Sequence, residues 1–299
     1  MSAVDVVSGV LGPVRKGVGN ALRSRVAGSD PVERSARIWG APGERWFREG
    51  DPIWRVHGDG SMFVAGIRAL LLQSLHPLAM AGVAGHSGFR GDPWGRLQRT
   101  STFIATTTYA PAPDAERLIA RVRGIHRRVV GEDEQGRPYA ASDPHLLAWV
   151  HAAETDSFLT CFQRFAVRPL GSAEADTYVA QTGEIAARLG VVNPPQTVAE
   201  LDAVIETFRP ELETTAAALD AADFLLRHPP LDAVSRLGYA PLAAGAVGLL
   251  PSWARTMLHL PGPDLVHEQV GVRVGRGAAR LVTWGLTHPD LAAERKVPA

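Results

Sequence analysis

The feature that most constrains the fold is a spacing of three or four residues between mostly apolar side chains, which recurs along most of the chain. After Asp143, this spacing connects Leu147, Val150, His151, Glu154, Phe158, Phe162 and Phe165. That spacing places them on one face of an α-helix. Alternating runs of β-branched residues between tight turns, which are typical of strands, are scarce. The pattern therefore predicts an all-α fold.

Several helix boundaries can be predicted from single residues. Asp92-Pro93 and Asp143-Pro144 can each supply an N-cap and a first helical residue. The first pair predicts a helix that reaches about Tyr109. Glycine at position 190 predicts the end of a helix over Ser172–Leu189. The alanine-rich residues 197–226 predict one long helix.

About ten helices follow from such signals, and no linker interrupts them. The sequence predicts one domain over residues 31–288, with loosely ordered ends at 1–30 and 289–299. The chain has 299 residues and 45% hydrophobic content, enough to bury a large core.

Composition excludes some functions. The 31 basic and 31 acidic side chains balance, so we expect no nucleic-acid partner. The single cysteine, Cys161, allows neither an internal disulfide nor a zinc site built on several cysteines. The apolar stretches at 62–85 and 237–250 fall short of the roughly 18–20 uninterrupted residues of a membrane span. The first residues do not have the pattern of a signal peptide. We expect a cytoplasmic protein with no stable membrane insertion.

The stretch "RVRGIHRRVVGE", residues 121–132, places a histidine in an apolar seam. If it is helical, His126 faces inward on a stripe that continues through Val129 and Val130, and Gly131 ends the helix. An inward imidazole needs a partner for each ring nitrogen. A core carbonyl, a carboxylate or a metal could each be that partner.

The stretch "GRLQRT" predicts a face rich in hydrogen-bond donors. On a helix, Arg96, Arg99, Thr100 and Phe103 lie on one side. Guanidinium groups bind carboxylates through paired hydrogen bonds. The alternative is that these are surface arginines paired with nearby acids such as Asp92.

The stretch "LLQSLHPLAMAGVAGHSGF", residues 71–89, is nearly all apolar. Pro77 predicts a kink near His76, and the glycines at 82, 85 and 88 would let the backbone approach another group closely. The segment is either the wall of an apolar ligand pocket or a core helix followed by a glycine turn. In "WVHAAETDSF", His151 is either close to a metal or cofactor or part of the core.

Four stretches together resemble the family of latex clearing protein (rubber oxygenase) and MpaB-type oxygenases. They are "HPLAMAGVAGHSGFRGDPWGRLQRT", "IHRRVVGEDEQGRPYAASDPHLLAWVHAAETDSF", "RPLGSAEADTYVAQ" and "LLPSWAR". The resemblance extends over roughly residues 39–286. It is carried by the order and spacing of the stretches more than by any one of them.

The resemblance implies an all-α fold with a globin-like core that binds haem b. In the family, the proximal iron ligand is a histidine in the segment matching "RGIHRRVVG", which here is His126. The arginine and threonine that the family places near the haem match Arg96 and Thr100. Arg99 stands where rubber oxygenases carry a lysine, and residues 60–91 contain no counterpart of their distal acidic residue. His126 would face inward because it binds iron.

The predicted function is that of a haem b-dependent oxygenase acting with O2 on a hydrophobic or small aromatic substrate, by oxidative cleavage or hydroxylation. Arg96 or Arg99 would pair with a haem propionate or stabilise a reduced oxygen species, and Thr100 would donate a hydrogen bond. His76 would be a distal residue or a second axial ligand, and His151 would lie beside the cofactor.

Two alternatives come from other classes of protein. A non-catalytic helical carrier of haem or of a lipophile would need the pocket but no open iron position. A helical protein without a cofactor would keep all these histidines in its core. Alanine-rich helix faces, such as residues 214–222, could also pack against a second copy of the chain to form a homodimer.

Overall fold

The computed structural model describes residues 15–17, 19–20, 31–86 and 91–289, and this part of the chain is all-α apart from one small hairpin. The predicted loose ends, 1–30 and 289–299, lie almost entirely outside the described residues. The helices and strands, numbered in chain order, are α1 (Pro31–Ser35, continued by a π-helical turn Ala36–Gly40), α2 (Pro52–His57), α3 (Met62–Gln73), α4 (Pro77–His86), α5 (Pro93–Tyr109), α6 (Ala112–His126), β1 (Val130–Glu132), β2 (Pro138–Ala140), α7 (Pro144–Phe165), α8 (Ser172–Leu189), α9 (Val198–Phe208, continued by a 3-10 turn Arg209–Glu211), α10 (Ala216–Leu226), α11 (Ala233–Leu249), α12 (Ser252–Met257), α13 (Asp264–Val266, continued by a π-helical turn His267–Gly271) and α14 (Val272–Leu286).

The helix starts predicted from Asp-Pro pairs are confirmed. The Asp92 side chain accepts a hydrogen bond from the Gly95 amide at 2.9 Å, at the beginning of α5. The Asp143 side chain accepts one from the His145 amide at 2.9 Å, at the beginning of α7. Gly190 ends α8 with a φ of 126°, which favours glycine.

The prediction of one helix over residues 197–226 is wrong. The chain leaves helix α9 at Phe208, makes a 3-10 turn and starts α10 only at Ala216. Pro210 lies in that turn, and a proline inside a helix removes a backbone donor and clashes with the preceding turn. Because of this break, Glu211 lies in the turn after α9 and is exposed.

The prediction that the His126 helix continues to Val130 is also wrong. Helix α6 ends at His126, and Val130–Glu132 pairs antiparallel with Pro138–Ala140. Gly131 therefore lies in a strand and does not stop a helix. A Cβ at position 131 would lie 2.7 Å from the Tyr139 hydroxyl oxygen, so this strand pair needs glycine there.

The main core lies where α3, α7, α11 and α14 pack together. Arg68 on α3 is buried and bonds to Asp156 Oδ2 and Ser157 Oγ on α7, both at 2.7 Å. Its Nε donates to the Leu249 carbonyl at 2.9 Å, at the end of α11. A buried charge is tolerated when it is paired in this way, so Arg68 fixes three core helices to one another.

The predicted kink near His76 is a full break. The chain bends by 109° between α3 and α4, and residues 74–76 separate the two helices. Within the described residues, no single helix is long and apolar enough to cross a membrane. The bent pair α3–α4 meets the criteria of length and composition only when its two arms are counted together.

Candidate functional site

Helices α5 and α6 form a hairpin that carries most of the residues predicted to bind a cofactor. Only Ala110 and Pro111 separate the two helices. The helices pack on each other, and α6 also packs on α8. A short connection makes consecutive helices antiparallel neighbours. Arg96 lies in the first turn of α5, and His126 is the last residue of α6.

His126 is half-buried, and its Nδ1 atom is buried with no hydrogen-bond partner. Burial lowers the pKa of this imidazole, so the ring is neutral at neutral pH. Ile119 on the same helix lies in the core, whereas the neighbouring Ile125 is 42% exposed. The end of the predicted apolar seam is thus incompletely covered by the described protein, and its histidine offers a buried nitrogen.

The predicted face of α5 divides into two environments. Arg96 is half-buried, and burial first, then the charge of Arg99, lowers its pKa. Arg99 is exposed and pairs with Asp92 Oδ2 at 3.0 Å, the surface alternative that the sequence left open. Thr100 is exposed. The structure therefore sets Arg96 apart as the arginine with the most buried surroundings on this face.

His151 on α7 has one ring nitrogen beside a threonine and one without a partner. Its Nδ1 atom lies 3.3 Å from Thr155 Oγ1. Thr155 Oγ1 lies 3.4 Å from Thr182 Oγ1, and the Thr182 hydroxyl donates to the Val179 carbonyl at 2.9 Å. The other ring nitrogen, Nε2, is buried without a hydrogen-bond partner. Burial lowers the pKa of His151 to about 4.

Glu154, one turn from His151, is an acid in this interior that sequence reasoning did not select as a site residue. Burial raises the pKa of its carboxyl group to about 7. The pKa of Tyr178 on α8 is raised by burial first and then by the charge of Glu154, so the two groups are neighbours. A carboxyl group that titrates near neutral pH can take up or release a proton there.

His57 shows what a satisfied core histidine looks like in this fold. Its Nδ1 lies 2.8 Å from Thr108 Oγ1, and its Nε2 lies 3.3 Å from the Tyr178 hydroxyl. Thr108 donates its own proton to the Ile104 carbonyl, so it accepts from His57. Both ring nitrogens have partners, and burial lowers the pKa of His57 to about 3.

A second cluster forms around His76, which lies at the break between α3 and α4. His145 Nε2 is 2.8 Å from Glu211 Oε2, and His76 Nε2 is 3.6 Å from the same oxygen. One ligand atom from each of the three residues lies within 4.8 Å of the other two. Burial is the largest cause of the lowered pKa of His76, and Glu211 opposes it. Only His76 of this set was predicted, because the three residues are far apart in the sequence.

The glycines predicted to allow close approach surround Tyr139. A Cβ at Gly85 would lie 3.1 Å from its hydroxyl oxygen, and one at Gly82 would lie 3.6 Å from its ring. The hydroxyl also bonds to His86 Nδ1 at 3.2 Å. Gly88 lies outside the described residues. The group that approaches these glycines is thus strand β2 of the β1–β2 hairpin. Helix α3, which precedes the glycine-containing helix α4, lies largely in the core.

The histidines selected from the sequence share one property in the structure. Among the described residues, six buried side-chain nitrogen or oxygen atoms have no hydrogen-bond partner, and three of them belong to His76, His126 and His151. Unpaired buried polar atoms are rare and call for a ligand or another explanation. A neutral imidazole with a free nitrogen is what a metal or haem iron binds, so these residues fit such a group.

Comparison with known proteins gives one match. The model of a family described as ER-bound oxygenase mpaB/B'/Rubber oxygenase, catalytic domain, matches residues 54–291. That range includes His76, Arg96, His126, His151 and Glu211. No curated protein and no solved structure matches the chain.

Proposed function

The chain belongs to the mpaB/rubber oxygenase catalytic-domain family and is therefore an oxygenase, and from this premise we propose that it uses haem b and O2 to oxidise a hydrophobic or small aromatic substrate. The single observation that carries the proposal is the buried, unpartnered Nδ1 atom of His126 at the end of α6. His57, a core histidine of this fold, has partners on both ring nitrogens. His126 lacks a partner on Nδ1, and the chain belongs to a family of oxygenases.

In this proposal, His126 would bind the haem iron. The imidazole is neutral because burial lowers its pKa, and the neutral form is the one that donates a lone pair. The haem, when bound, would supply the redox chemistry with O2.

Arg96 would hold a carboxylate of the cofactor, because it is half-buried on the helix that packs against α6. Guanidinium–carboxylate pairs gain strength when they are shielded from water. Arg99 is exposed, so its contribution would be smaller. Thr100 would donate a hydrogen bond at the same end of α5.

His151 and Glu154 would manage protons on the α7 side. His151 would offer its Nε2 atom, which is buried without a hydrogen-bond partner. The Glu154 carboxyl group would hold a proton at neutral pH about half of the time, given its pKa of about 7. Together they would supply the proton-transfer capacity that the rubber oxygenases place in another part of the chain.

Family membership favours the enzyme over the carrier considered from the sequence. The Glu154 carboxyl group, which titrates near neutral pH, also suits oxidation. The globin-like arrangement of the core, the single-domain division and the homodimer stay predictions.

The proposal is tested by the cofactor content of the purified protein. The full chain is expressed with a haem precursor, and haem b is measured by its absorption spectrum and by pyridine haemochrome. We expect about one haem per chain. Incubation with isotopically labelled O2 and a panel of apolar compounds should then give products that carry the label.

A chain that purifies without haem under conditions that load a co-expressed haem protein would contradict the proposal. Haem that is bound but never promotes incorporation of labelled oxygen would favour the carrier.

A further inference from the structure

We propose that His76, His145 and Glu211 form a second metal site, which binds a divalent first-row transition metal ion independently of the haem. Two imidazole nitrogens and one carboxylate oxygen are a ligand set used for zinc and for non-haem iron. The proposal goes beyond the haem function and does not depend on it.

The donor atoms are close to the separations that a metal ion requires. Bonds of about 2.0–2.2 Å at tetrahedral angles place ligand atoms about 3.3–3.6 Å apart. His76 Nε2 and Glu211 Oε2 are 3.6 Å apart, and no pair among the three donors exceeds 4.8 Å. His145 Nε2 donates to Glu211 Oε2 at 2.8 Å, and this proton would leave as the metal replaces it.

His76 provides the independent sign of a ligand. Its side chain is only 3% exposed, and its Nε2 atom is buried without a hydrogen-bond partner. The Glu211 oxygen at 3.6 Å is too far for a hydrogen bond. The Ala79 amide donates to His76 Nδ1 at 3.5 Å, the limit of a hydrogen bond. Metal binding at Nε2 would move the ring proton to Nδ1 and would replace this long contact.

The backbone holds the three ligands together from distant parts of the chain. The Glu213 amide donates to the Leu75 carbonyl at 2.8 Å, which fixes the turn that carries Glu211 against the residue before His76. The Glu213 carboxylate pairs with Arg137 at 2.5 Å, which ties the same turn to the β1–β2 hairpin. His145 enters from the first turn of α7. The site is therefore built by the break in α3–α4 and by the 3-10 turn after α9.

Aromatic rings form an apolar wall behind the donors. The Phe208 ring lies 4.6 Å from the His145 ring and 6.0 Å from the His76 ring, between centroids. Trp149 packs on Phe208 at 5.3 Å and donates its indole N–H to the Gln73 carbonyl at 3.2 Å. Such a wall orients the imidazoles and limits water on one side. His145 and Glu211 are 52% and 41% exposed, so the other side is open to solvent and to a further ligand.

A histidine–carboxylate pair elsewhere lacks these features. His228 Nδ1 lies 2.8 Å from Asp223 Oδ2, and both residues lie at the surface. This pair belongs to no group of three ligands among the described residues. It therefore serves as a matched control for the proposed site.

The test is a titration of the full chain, as purified, with zinc ions after treatment with a chelator and gel filtration. Isothermal titration calorimetry and elemental analysis after dialysis measure bound zinc, and iron is counted separately. We expect one saturable zinc ion per chain. The variants His145→Gln and Glu211→Gln change exposed side chains and should fold, and each should weaken zinc binding by about tenfold or more.

The control His228→Gln should bind zinc as the unaltered chain does. The proposal is overturned if the unaltered chain shows no saturable zinc binding. It is also overturned if His145→Gln and Glu211→Gln bind as tightly as the unaltered chain, or if His228→Gln loses the ion in their place. Haem content is expected to stay constant in all three variants, which separates failure of this site from failure of the haem proposal.

Discussion

The end of α6 and the break between α3 and α4 each present a histidine with a buried, unpartnered nitrogen, but their surroundings differ. His76 has a second imidazole and a carboxylate within 4.8 Å. His126 belongs to no such cluster in the described part of the chain, and its neighbours on the hairpin are arginines and apolar residues. The two sites therefore offer three donors in one case and a single donor in the other.

The difference teaches what each site can hold. A bare metal ion needs several protein donors, because each one replaces part of its hydration shell. A haem iron already has four nitrogen ligands from its macrocycle, so one imidazole and an apolar pocket suffice. The chemistry of the donors thus supports the proposals of haem at His126 and of a metal ion at His76, although the sequence placed both histidines at the same cofactor.

The largest effect should come from His126→Ala. The variant should lose nearly all of its haem absorption and remain helical, because alanine is a good helix former. Free imidazole should restore part of the spectrum by occupying the vacated position. Absorption and circular dichroism spectra of the purified variant measure both.

The matched control is His228→Ala, which should keep the spectrum of the unaltered chain. If His126→Ala keeps its haem while His151→Ala loses it, the axial ligand is His151, whose Nε2 is also buried and unpartnered.

A smaller effect should separate the two arginines of α5. Arg96→Ala should weaken haem retention by about tenfold, because a hydrogen bond to a charged group contributes about 1.5–3 kcal/mol. Arg99→Ala should change haem retention much less, because its guanidinium is exposed and paired with Asp92. Transfer of haem to an acceptor apoprotein gives the two rates. Equal rates would show that Arg96 has no special role.

The smallest effect is a change in how stability depends on pH. The pKa of His151 is about 4 in the folded chain and about 6.5 when unfolded. Between these values only the unfolded chain binds the proton, so this group lowers the free energy of unfolding as the pH falls from 6.5 toward 4. His151→Gln should remove that contribution, about 1 kcal/mol per pH unit.

Glu154→Gln is the control with the opposite sign. The raised pKa of Glu154, about 7, means that the folded chain binds the proton more tightly, so its contribution to stability is lost as the pH rises toward 7. Urea unfolding at several pH values, after removal of haem, measures both slopes. A variant whose slope equals that of the unaltered chain would show that the substituted group is exposed in solution.

Local signals predicted those parts of the fold that depend on neighbouring residues. The Asp-Pro pairs gave the starts of α5 and α7, Gly190 gave the end of α8, and Pro77 gave the break at His76. Pro210 was an available signal for the end of α9, but the alanine-rich composition of 197–226 outweighed it in the prediction.

Other features depend on contacts between distant residues, which no local pattern contains. Strand β1 forms because Gly131 faces Tyr139 across the hairpin. Glu211 meets His76 only because the chain turns at Pro210 and the Glu213 amide binds the Leu75 carbonyl. His145 looked like an ordinary residue of a helix start for the same reason. Sequence reasoning found single histidines, and the fold decided which of them share a site.

The most direct test of two separate sites is the haem and zinc content per chain of three proteins, measured on the same preparations: the unaltered chain, His126→Ala and His145→Gln. Two independent sites predict that His126→Ala loses haem and keeps zinc, whereas His145→Gln loses zinc and keeps haem. If either substitution removes both haem and zinc, or if neither removes anything, the division of the two histidine sites is wrong.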